Sequence, residues 1–460
     1  MAVKTSTISS HQVSLVLIRN EGHFIDMKAK EITPSKLSRT LSAFANADGG
    51  EVYVGIATIN GSFRWDGFAK EEDANAHLQV VESLFSIGDI AQCEFLSCPS
   101  ETGYVLRVDI PKTGNILNAS DSSPYIRRGA QNIPIKTAEQ FERLRLDKGI
   151  SSFEDQTLQI DCLDITNSLA IIEFLLNVVP TAEPEAWLKK QRLILNDKPV
   201  VAGEVLFADE PQVALPKAAI KVYRYKTTDA EGTRQTLAFD PIAIEGNAYN
   251  QIYNAVDKVK QIAEEIPTLG TTGFEKISYP TEAIHEVVTN AVIHRDYSIK
   301  DDIHIRIFDN RIEIASPGTL PGHVTVSNIL EERAARNPKI VRILNKFKNP
   351  PNKDVGEGLN TAFEAMRNLR LRDPIVEQRE NQVLVTLKHE KLGTPEEIIT
   401  TYLRNNAEIN NAIAREICFI GSENKIKRIF QKMMQSGLTE RIPDRSLNKT
   451  GYVRGPNFPK

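Results

Sequence analysis

The sequence has little cysteine, no long apolar run near its start and no large excess of either charge. Its four cysteines show neither metal-ligand spacing nor disulfide density, which favours a reducing compartment. The apolar run 13–18 is too short for a signal peptide or a membrane helix, so no membrane association is expected. A net charge of −4 argues against a uniformly basic nucleic-acid binder but allows a local basic surface. We therefore expect a cytoplasmic protein.

The composition is that of a globular protein, with 41% hydrophobic and 25% charged residues. A chain of 460 residues is too long for one core, and length alone predicts about three domains. Residue patterns divide it into four segments, 1–147, 148–245, 246–392 and 393–460. Helical and strand-like patterns occur in all of them, so we predict an α/β (α+β) multidomain fold.

Three short motifs stand out in the first segment. A helical pattern ends in the turn Ala43-Phe44-Ala45-Asn46-Ala47-Asp48-Gly49-Gly50, where glycines permit positive backbone angles. Glu21, Asp26 and Lys28 precede it, and Tyr125-Ile126-Arg127-Arg128-Gly129 follows it. In order and spacing these motifs resemble the Schlafen AlbA-2 domain. The resemblance implies a module that binds nucleic acid, either DNA or RNA, or another partner.

The acidic residues of the first motif allow two interpretations. In some Schlafen proteins they belong to a metal-dependent RNA-cleaving site, which here would contain Glu21, Asp26 and the neighbouring Lys28. Phosphodiester hydrolysis usually requires more oxygen ligands than two carboxylates provide. The third acid of that pattern is absent from residues 55–59. The alternative is a structural salt-bridge cluster.

The second segment shows no catalytic constellation. Residues 169–178 read as a helix, 202–208 as a strand and 220–225 as a half-buried strand. We expect an α/β connector without chemistry of its own.

The third segment contains a helix pattern over residues 281–297, with Thr281 as the expected cap. Glu286, Asn290 and His294 stand at i, i+4 and i+8, so they project from one face of that helix. A carboxylate, an amide and an imidazole beside an apolar stripe suit a site better than a core, and the alternative from this helix alone is a solvated polar face.

Two glycine loops follow this helix. A predicted β-hairpin over residues 302–315 leads to Ser316-Pro317-Gly318. A long polar segment then reaches Gly356-Glu357-Gly358-Leu359, which opens another helix. Glycines at a helix start expose backbone amides to an anion, although one such loop is weak evidence by itself.

The ordered set of helix, hairpin, Ser-Pro-Gly, polar lid and Gly-x-Gly-Leu resembles the GHKL (Bergerat) ATP-binding fold, in its RecG-like C-terminal branch. The resemblance implies ATP and Mg²⁺ as ligands and a Mg²⁺-dependent ATPase as the enzyme. By that resemblance Asn290 would hold Mg²⁺ and Glu286 would be the general base. Gly318, Gly356, Gly358 and Leu359 would surround the nucleotide.

One feature departs from that family. Its usual D-x-G-x-G loop supplies an aspartate that recognises adenine, and Ser316-Pro317-Gly318 stands in its place, so adenine specificity is left open. For His294, Arg295 and Asp296 we expect a buried network at the end of the helix rather than a catalytic role.

The last segment resembles a winged helix-turn-helix. Helical patterns cover residues 395–405, 412–417 and 423–435, and two wing strands follow. The third helix carries basic residues that would meet DNA phosphates or base edges: Lys425, Lys427, Arg428 and Lys432. Such domains also serve as dimerisation modules, and we expect a homo-oligomer.

Three functions fit these patterns. The first is an ATP-binding, ATP-hydrolysing protein associated with nucleic acid, acting as a transcriptional regulator or in antiviral defence. The second is a Schlafen-like metal-dependent RNase whose GHKL domain senses nucleotide. The third is a DNA-binding regulator that keeps a non-catalytic GHKL scaffold.

Overall fold

The computed structural model describes residues 3–85, 91–270, 273–276, 278–351, 358–379, 381–390, 394–418, 420–442 and 451–459. Helices and sheets are mixed along this part of the chain, which confirms the predicted α/β class. Among the described helices, none combines the length and the apolar character that crossing a membrane requires.

A mixed five-stranded sheet organises the first segment, in the order β1 (Lys4–Thr7), β6 (Gln92–Ser97), β7 (Val105–Ile110), β3 (Gly50–Val54) and β2 (Ile25–Lys28). Leu37, Leu41 and Phe44 of the helix α2 (Pro34–Asn46) pack on this sheet and belong to the core of the segment. The segment also contains the strands β4 (Ile56–Ile59), β5 (Ser62–Trp65), β8 (Tyr125–Arg128) and β9 (Gln131–Pro134). It also contains the helices α1 (Ser10–Leu17), α3 (Asn75–Leu84) and α4 (Ala138–Asp147).

Short helices dominate the second segment. They are α5 (Leu163–Thr166), α6 (Leu169–Val178), α7 (Pro184–Lys190) and α8 (Val201–Phe207), with the small hairpin β10 (Ile194–Leu195) and β11 (Lys198–Pro199). The prediction of a strand over residues 202–208 was therefore wrong. Every residue of α8 is buried, the polar Glu204 included, so the segment has no exposed face whose spacing would separate a helix from a strand.

The buried carboxylate of Glu204 on α8 gives a test of this core. Glu204 is 1% exposed, and its Oε2 has no hydrogen-bond partner among the described residues. Burial, with a smaller contribution from the charge of Asp164, raises the pKa of Glu204 to about 7. Because the folded state favours the protonated form, this carboxyl supports stability fully below pH 4.5, and that support is lost as the pH rises through 7.

We expect Glu204→Gln to stabilise the protein at pH 8, by up to roughly 3 kcal/mol for a shift of this size. Urea unfolding at pH 5 and pH 8 measures the effect, with the exposed Glu173→Gln of α6 as control. If Glu204→Gln changed the unfolding free energy by the same amount at pH 5 and at pH 8, the assignment would be contradicted.

A six-stranded sheet forms the centre of the third segment. Its order is β13 (Ile242–Ile244), β12 (Ile220–Arg224), β16 (Ile303–Ile307), β17 (Arg311–Pro317), β19 (Gln382–Lys388) and β18 (Ile375–Arg379). β12 and β13 come from the second segment, so the sheet crosses the predicted boundary at residue 245. The remaining strands, β14 (Pro267–Gly270) and β15 (Gly273–Lys276), form a separate hairpin.

Helices cover one face of this sheet. The long helix α9 (Ala248–Glu264) and the helix α10 (Thr281–Ile293) bury isoleucines and valines in one core with β12, β16 and β17. The helices α11 (Pro338–Leu344) and α12 (Asn360–Asn368) contribute to the same core.

The last segment has its own small core, which includes Ile399, Phe430 and Tyr452. The phenyl and phenol rings of Phe430 and Tyr452 stack with centroids 3.8 Å apart. Its helices agree with the predicted positions. The elements are α13 (Pro395–Asn405), β20 (Ile409–Asn410), α14 (Asn411–Ile417), α15 (Glu423–Gln435), β21 (Thr439–Arg441) and β22 (Gly451–Arg454).

Candidate functional site

The polar row on α10 faces a cavity. Its three residues Glu286, Asn290 and His294 all line this cavity. The opposite side of α10 is apolar and buried, which fixes the rotation of the helix about its axis. Two details of the predicted helix were wrong: Thr281 is the first helical residue rather than the cap, and α10 ends at Ile293.

Glu286 and Asn290 are joined by a hydrogen bond. The amide Nδ2 of Asn290 donates to Oε1 of Glu286 at 2.7 Å. Burial raises the pKa of Glu286, and the hydrogen bond from Asn290 counteracts part of that rise. A carboxylate that is held in place and has a raised pKa suits a general base, because a general base works best when its pKa lies close to the pH of the reaction.

The same hydrogen bond sets the direction of the Asn290 amide. With Nδ2 directed to Glu286, the amide oxygen Oδ1 is left for another partner. Magnesium prefers oxygen ligands and is often held by one or two protein groups together with substrate phosphates. The donor set on α10 therefore fits a metal–phosphate ligand. Within the described residues, no group of three or more His, Cys, Asp or Glu could hold a metal ion by itself.

The cavity has a volume of about 330 Å³, at the lower end of the range for small-molecule sites. Apolar side chains form most of its wall. They include Ile314 of β17, Leu320, Val324 and Leu330 of the segment that follows it, and Val383 and Val385 of β19. A polar row on one side and an apolar wall on the other suit a ligand with a charged end and a ring system.

The Ser-Pro-Gly motif packs against the end of α10. The hydroxyl of Ser316 donates to the carbonyl of Ala291 at 2.7 Å. Gly318 has φ +117°, and a Cβ at this position would lie 2.8 Å from Cβ of Asp296. Both observations explain the small residues here by close packing. Gly318 also lines the cavity, and its contact with a nucleotide stays a prediction.

The second glycine loop is only partly within the described residues. Gly356 lies outside them. Gly358 and Leu359 line the cavity, and Gly358 is exposed with φ +46°. Leu359 precedes α12, whose first turn has no side-chain cap. Backbone amides at a helix start can donate to an anion, and here those of Thr361 and Ala362 also donate to the carbonyls of Gly358 and Leu359 at 3.3 and 3.0 Å.

The residues after α10 form a buried charged network. Asp296 pairs with Nη2 of Arg143 at 2.8 Å and with Nη1 of Arg336 at 3.3 Å. Arg295 donates to the backbone carbonyl of Asp301. His294 instead faces the cavity, and burial together with the charge of Arg336 lowers its pKa to about 4. A neutral imidazole is therefore expected in the cavity at pH 7.

The acidic side chains of the first segment are paired with lysine and arginine side chains. Asp26 accepts hydrogen bonds from Nζ of Lys28 at 2.6 Å and from Nη1 of Arg127 at 3.2 Å. Glu21 accepts a hydrogen bond from the Met27 amide, and its Oε1 lies 3.7 Å from Nζ of Lys28. Burial, followed by a hydrogen bond with Glu21, raises the pKa of Asp26 to about 6.

This geometry supports the salt-bridge interpretation of Glu21, Asp26 and Lys28. Sequence reasoning did not include Arg127 in the cluster, although its position in the third motif was noted. The motifs are more than 100 residues apart along the chain, so only the fold brings them together. The nuclease site stays a prediction.

The four basic residues predicted for the third helix of the last segment are all exposed on α15: Lys425, Lys427, Arg428 and Lys432. Lys427 forms an i,i+4 ion pair with Glu423 at 2.6 Å. These exposed cations are available to an anionic partner. DNA binding by this helix stays a prediction.

Two family models match the chain. The model described as "Schlafen, AlbA_2" matches residues 21–136, and the one described as "Putative ATP-dependent DNA helicase recG C-terminal" matches residues 300–387. Both resemblances predicted from the motifs are thereby confirmed. Together they indicate a protein associated with nucleotides or nucleic acid. The second match begins after α10, so Glu286 and Asn290 lie outside it, and the winged helix is not among the matches.

No curated protein sequence matches the chain. Among solved structures, the chain is similar to the DIP2311 protein from Corynebacterium diphtheriae. The two are 16% identical, with 94% of this chain and 92% of that chain covered and a TM-score of 0.43.

Proposed function

We propose that the chain binds ATP with Mg²⁺ in the cavity beside α10 and hydrolyses the ATP. The hydrogen-bonded pair of Glu286 and Asn290 in that cavity is the observation that carries the proposal. Hydrolysis of a phosphate anhydride needs a positioned water and a metal ion. The carboxylate of raised pKa suits the first, and the Asn290 amide oxygen, which has no hydrogen-bond partner among the described residues, suits the second.

Five residues that line the cavity have roles in the proposed reaction. Glu286 orients the attacking water and accepts its proton, and the hydrogen bond from Asn290 keeps the carboxylate in place. Oδ1 of Asn290 would hold Mg²⁺, which would neutralise charge on the phosphates. Gly358, which precedes α12 and lines the cavity, binds phosphate oxygens. The apolar wall with Leu320 and Val324 receives the base.

The proposed partner is nucleic acid, bound by the AlbA-2-like segment and by the basic surface of α15. Coupling of a nucleotide cycle to such contacts suits a transcriptional regulator or a defence protein. A homo-oligomer is part of the proposal, since winged-helix-like segments commonly dimerise. The non-catalytic scaffold differs from this proposal in one measurable respect, the turnover of ATP.

Binding provides the first test. In calorimetry with Mg²⁺ present, we expect Asn290→Ala to weaken ATP binding by about 10-fold or more, equivalent to about 1.4 kcal/mol. With EDTA in place of Mg²⁺, parent and variant should bind ATP similarly weakly, because the amide acts through the metal. The control is Asn254→Ala, on the exposed side of the neighbouring helix α9. Equal affinities of parent and Asn290→Ala in Mg²⁺ would contradict the assignment.

A further inference from the structure

A buried lysine of the first segment reaches the wall of the cavity. Lys112 follows β7, and its side chain is 5% exposed. Its Nζ donates to the backbone carbonyl of Leu320 at 2.9 Å and to that of Val324 at 3.2 Å. Leu320 and Val324 both line the cavity. The wall is thus attached to a residue some 200 positions earlier in the chain.

Asp48 completes this contact from the glycine-rich turn after α2. Its Oδ1 lies 3.3 Å from Nζ of Lys112 and accepts a hydrogen bond from Nε2 of Gln378 at 2.9 Å. Gln378 lies on β18, and its Oε1 accepts a hydrogen bond from the Leu320 amide at 2.8 Å. Asp48, Lys112 and Gln378 therefore surround the start of the wall; we call them the clasp.

The glycines of the turn make the clasp possible. Gly49 has φ +77°, and a Cβ there would lie 2.6 Å from the carbonyl oxygen of Ile110 and 3.0 Å from the amide nitrogen of Lys112. Only glycine allows the turn to approach the strand this closely, and that approach brings Asp48 to Lys112. The Asp48 carboxyl also accepts a hydrogen bond from His23, and its partners hold its pKa well below the usual range despite burial.

Burial of a lysine is costly unless its charge is compensated. Here the charge of Lys112 is compensated by Asp48 of the first segment and by two backbone carbonyls of the cavity wall, which belongs to the third segment. Displacement of the wall would leave the Lys112 ammonium buried without two of its acceptors. The position of Leu320 and Val324 thus depends on the first segment.

We propose that Lys112 is a positioning residue for the nucleotide cavity. We propose further that nucleotide binding is linked to the contact between the first segment and the cavity wall. This inference rests on the proposed function. Because linkage is reciprocal, a ligand that packs on the wall stabilises the contact with Lys112 by as much as that contact favours the ligand. The AlbA-2-like segment then senses whether the cavity is filled.

Lys112→Met tests this directly, since methionine keeps the length of the side chain and removes the ammonium. We expect its KM for ATP to rise about 10-fold with kcat within about a factor of two, because the wall binds the ligand without entering the chemistry. Calorimetry with Mg²⁺ should give a matching loss of ATP affinity. Inorganic tripolyphosphate, which lacks the base, should bind parent and variant alike. The control is Lys36→Met, an exposed lysine of the same segment.

Gln378→Leu breaks the clasp from the other side and keeps the inference testable if Lys112→Met does not fold. Each single variant should weaken ATP binding. The ATP affinity of the double variant should be little lower than that of the weaker-binding single variant, because both substitutions act on the same wall. Unchanged ATP affinity in both single variants, or effects that multiply in the double variant, would overturn the inference. Parent protein that binds neither ATP nor tripolyphosphate would instead overturn the proposed function, and this inference with it.

Discussion

Replacement of Glu286 by glutamine is expected to lower kcat for ATP hydrolysis by at least about 100-fold, the usual contribution of a general base. Glutamine retains the side-chain shape and an oxygen that can accept the hydrogen bond from Asn290. ATP affinity should therefore change little. Phosphate release under saturating ATP measures the first quantity, and calorimetry measures the second.

The exposed Glu282→Gln in the first turn of the same helix is the control, and it should turn over ATP like the parent. The pH profile gives an independent check. Burial raises the pKa of Glu286 above its ordinary value of 4.5. As the pH is lowered, the base should therefore become protonated, and activity should be lost, before the pH reaches 4.5. Turnover in Glu286→Gln equal to that of the parent would exclude Glu286 as the base, and no turnover in the parent would favour the non-catalytic scaffold.

Replacement of Arg127 by methionine is expected to destabilise the first segment by about 3–5 kcal/mol, the usual result of breaking a buried ion pair. Both Arg127 and Asp26 are 1% exposed at their side chains. The guanidinium also donates to the carbonyls of Gly22 and Ile25 and to Oδ1 of Asn132. Without it, Lys28 is the one cationic partner that Asp26 retains among the described residues.

Urea unfolding monitored by hydrogen exchange in the first segment measures this effect. Arg128→Met is the control, because the neighbouring arginine is exposed. Adding Asp26→Asn to Arg127→Met should recover part of the lost stability, since the buried charge is then gone. A loss below about 1 kcal/mol, typical of surface pairs, would contradict the structural role.

The same segment allows the RNase alternative to be tested separately. RNA cleavage by the parent that is lost in Glu21→Ala, with the stability of the segment unchanged, would identify a nuclease site. Loss of stability without any cleavage in the parent would leave the salt-bridge cluster as the role of these acids. The hydrogen bonds of Lys28 and Arg127 to Asp26 favour the second result.

Local patterns were a good guide wherever they had a clear period. The helices α6, α13 and α15 begin and end where their sequence patterns predicted them. The spacing of Glu286, Asn290 and His294 placed the three on one face, and all three line one cavity, although His294 directly follows the last residue of α10. Patterns failed at α8, which is buried on every side and has no exposed face to set a period.

The sequence by itself determined the α/β class, the two family resemblances and the polar row of α10, because each depends on residues close together in the chain. Only the tertiary structure showed that Asp26 is paired with Arg127, that Asp296 is paired with Arg143 and Arg336, and that Lys112 supports the cavity wall. These contacts join residues separated by about 40 to more than 200 positions. Charged side chains carry no periodic signal that identifies such partners, and their pairing follows from how the sheets and helices pack.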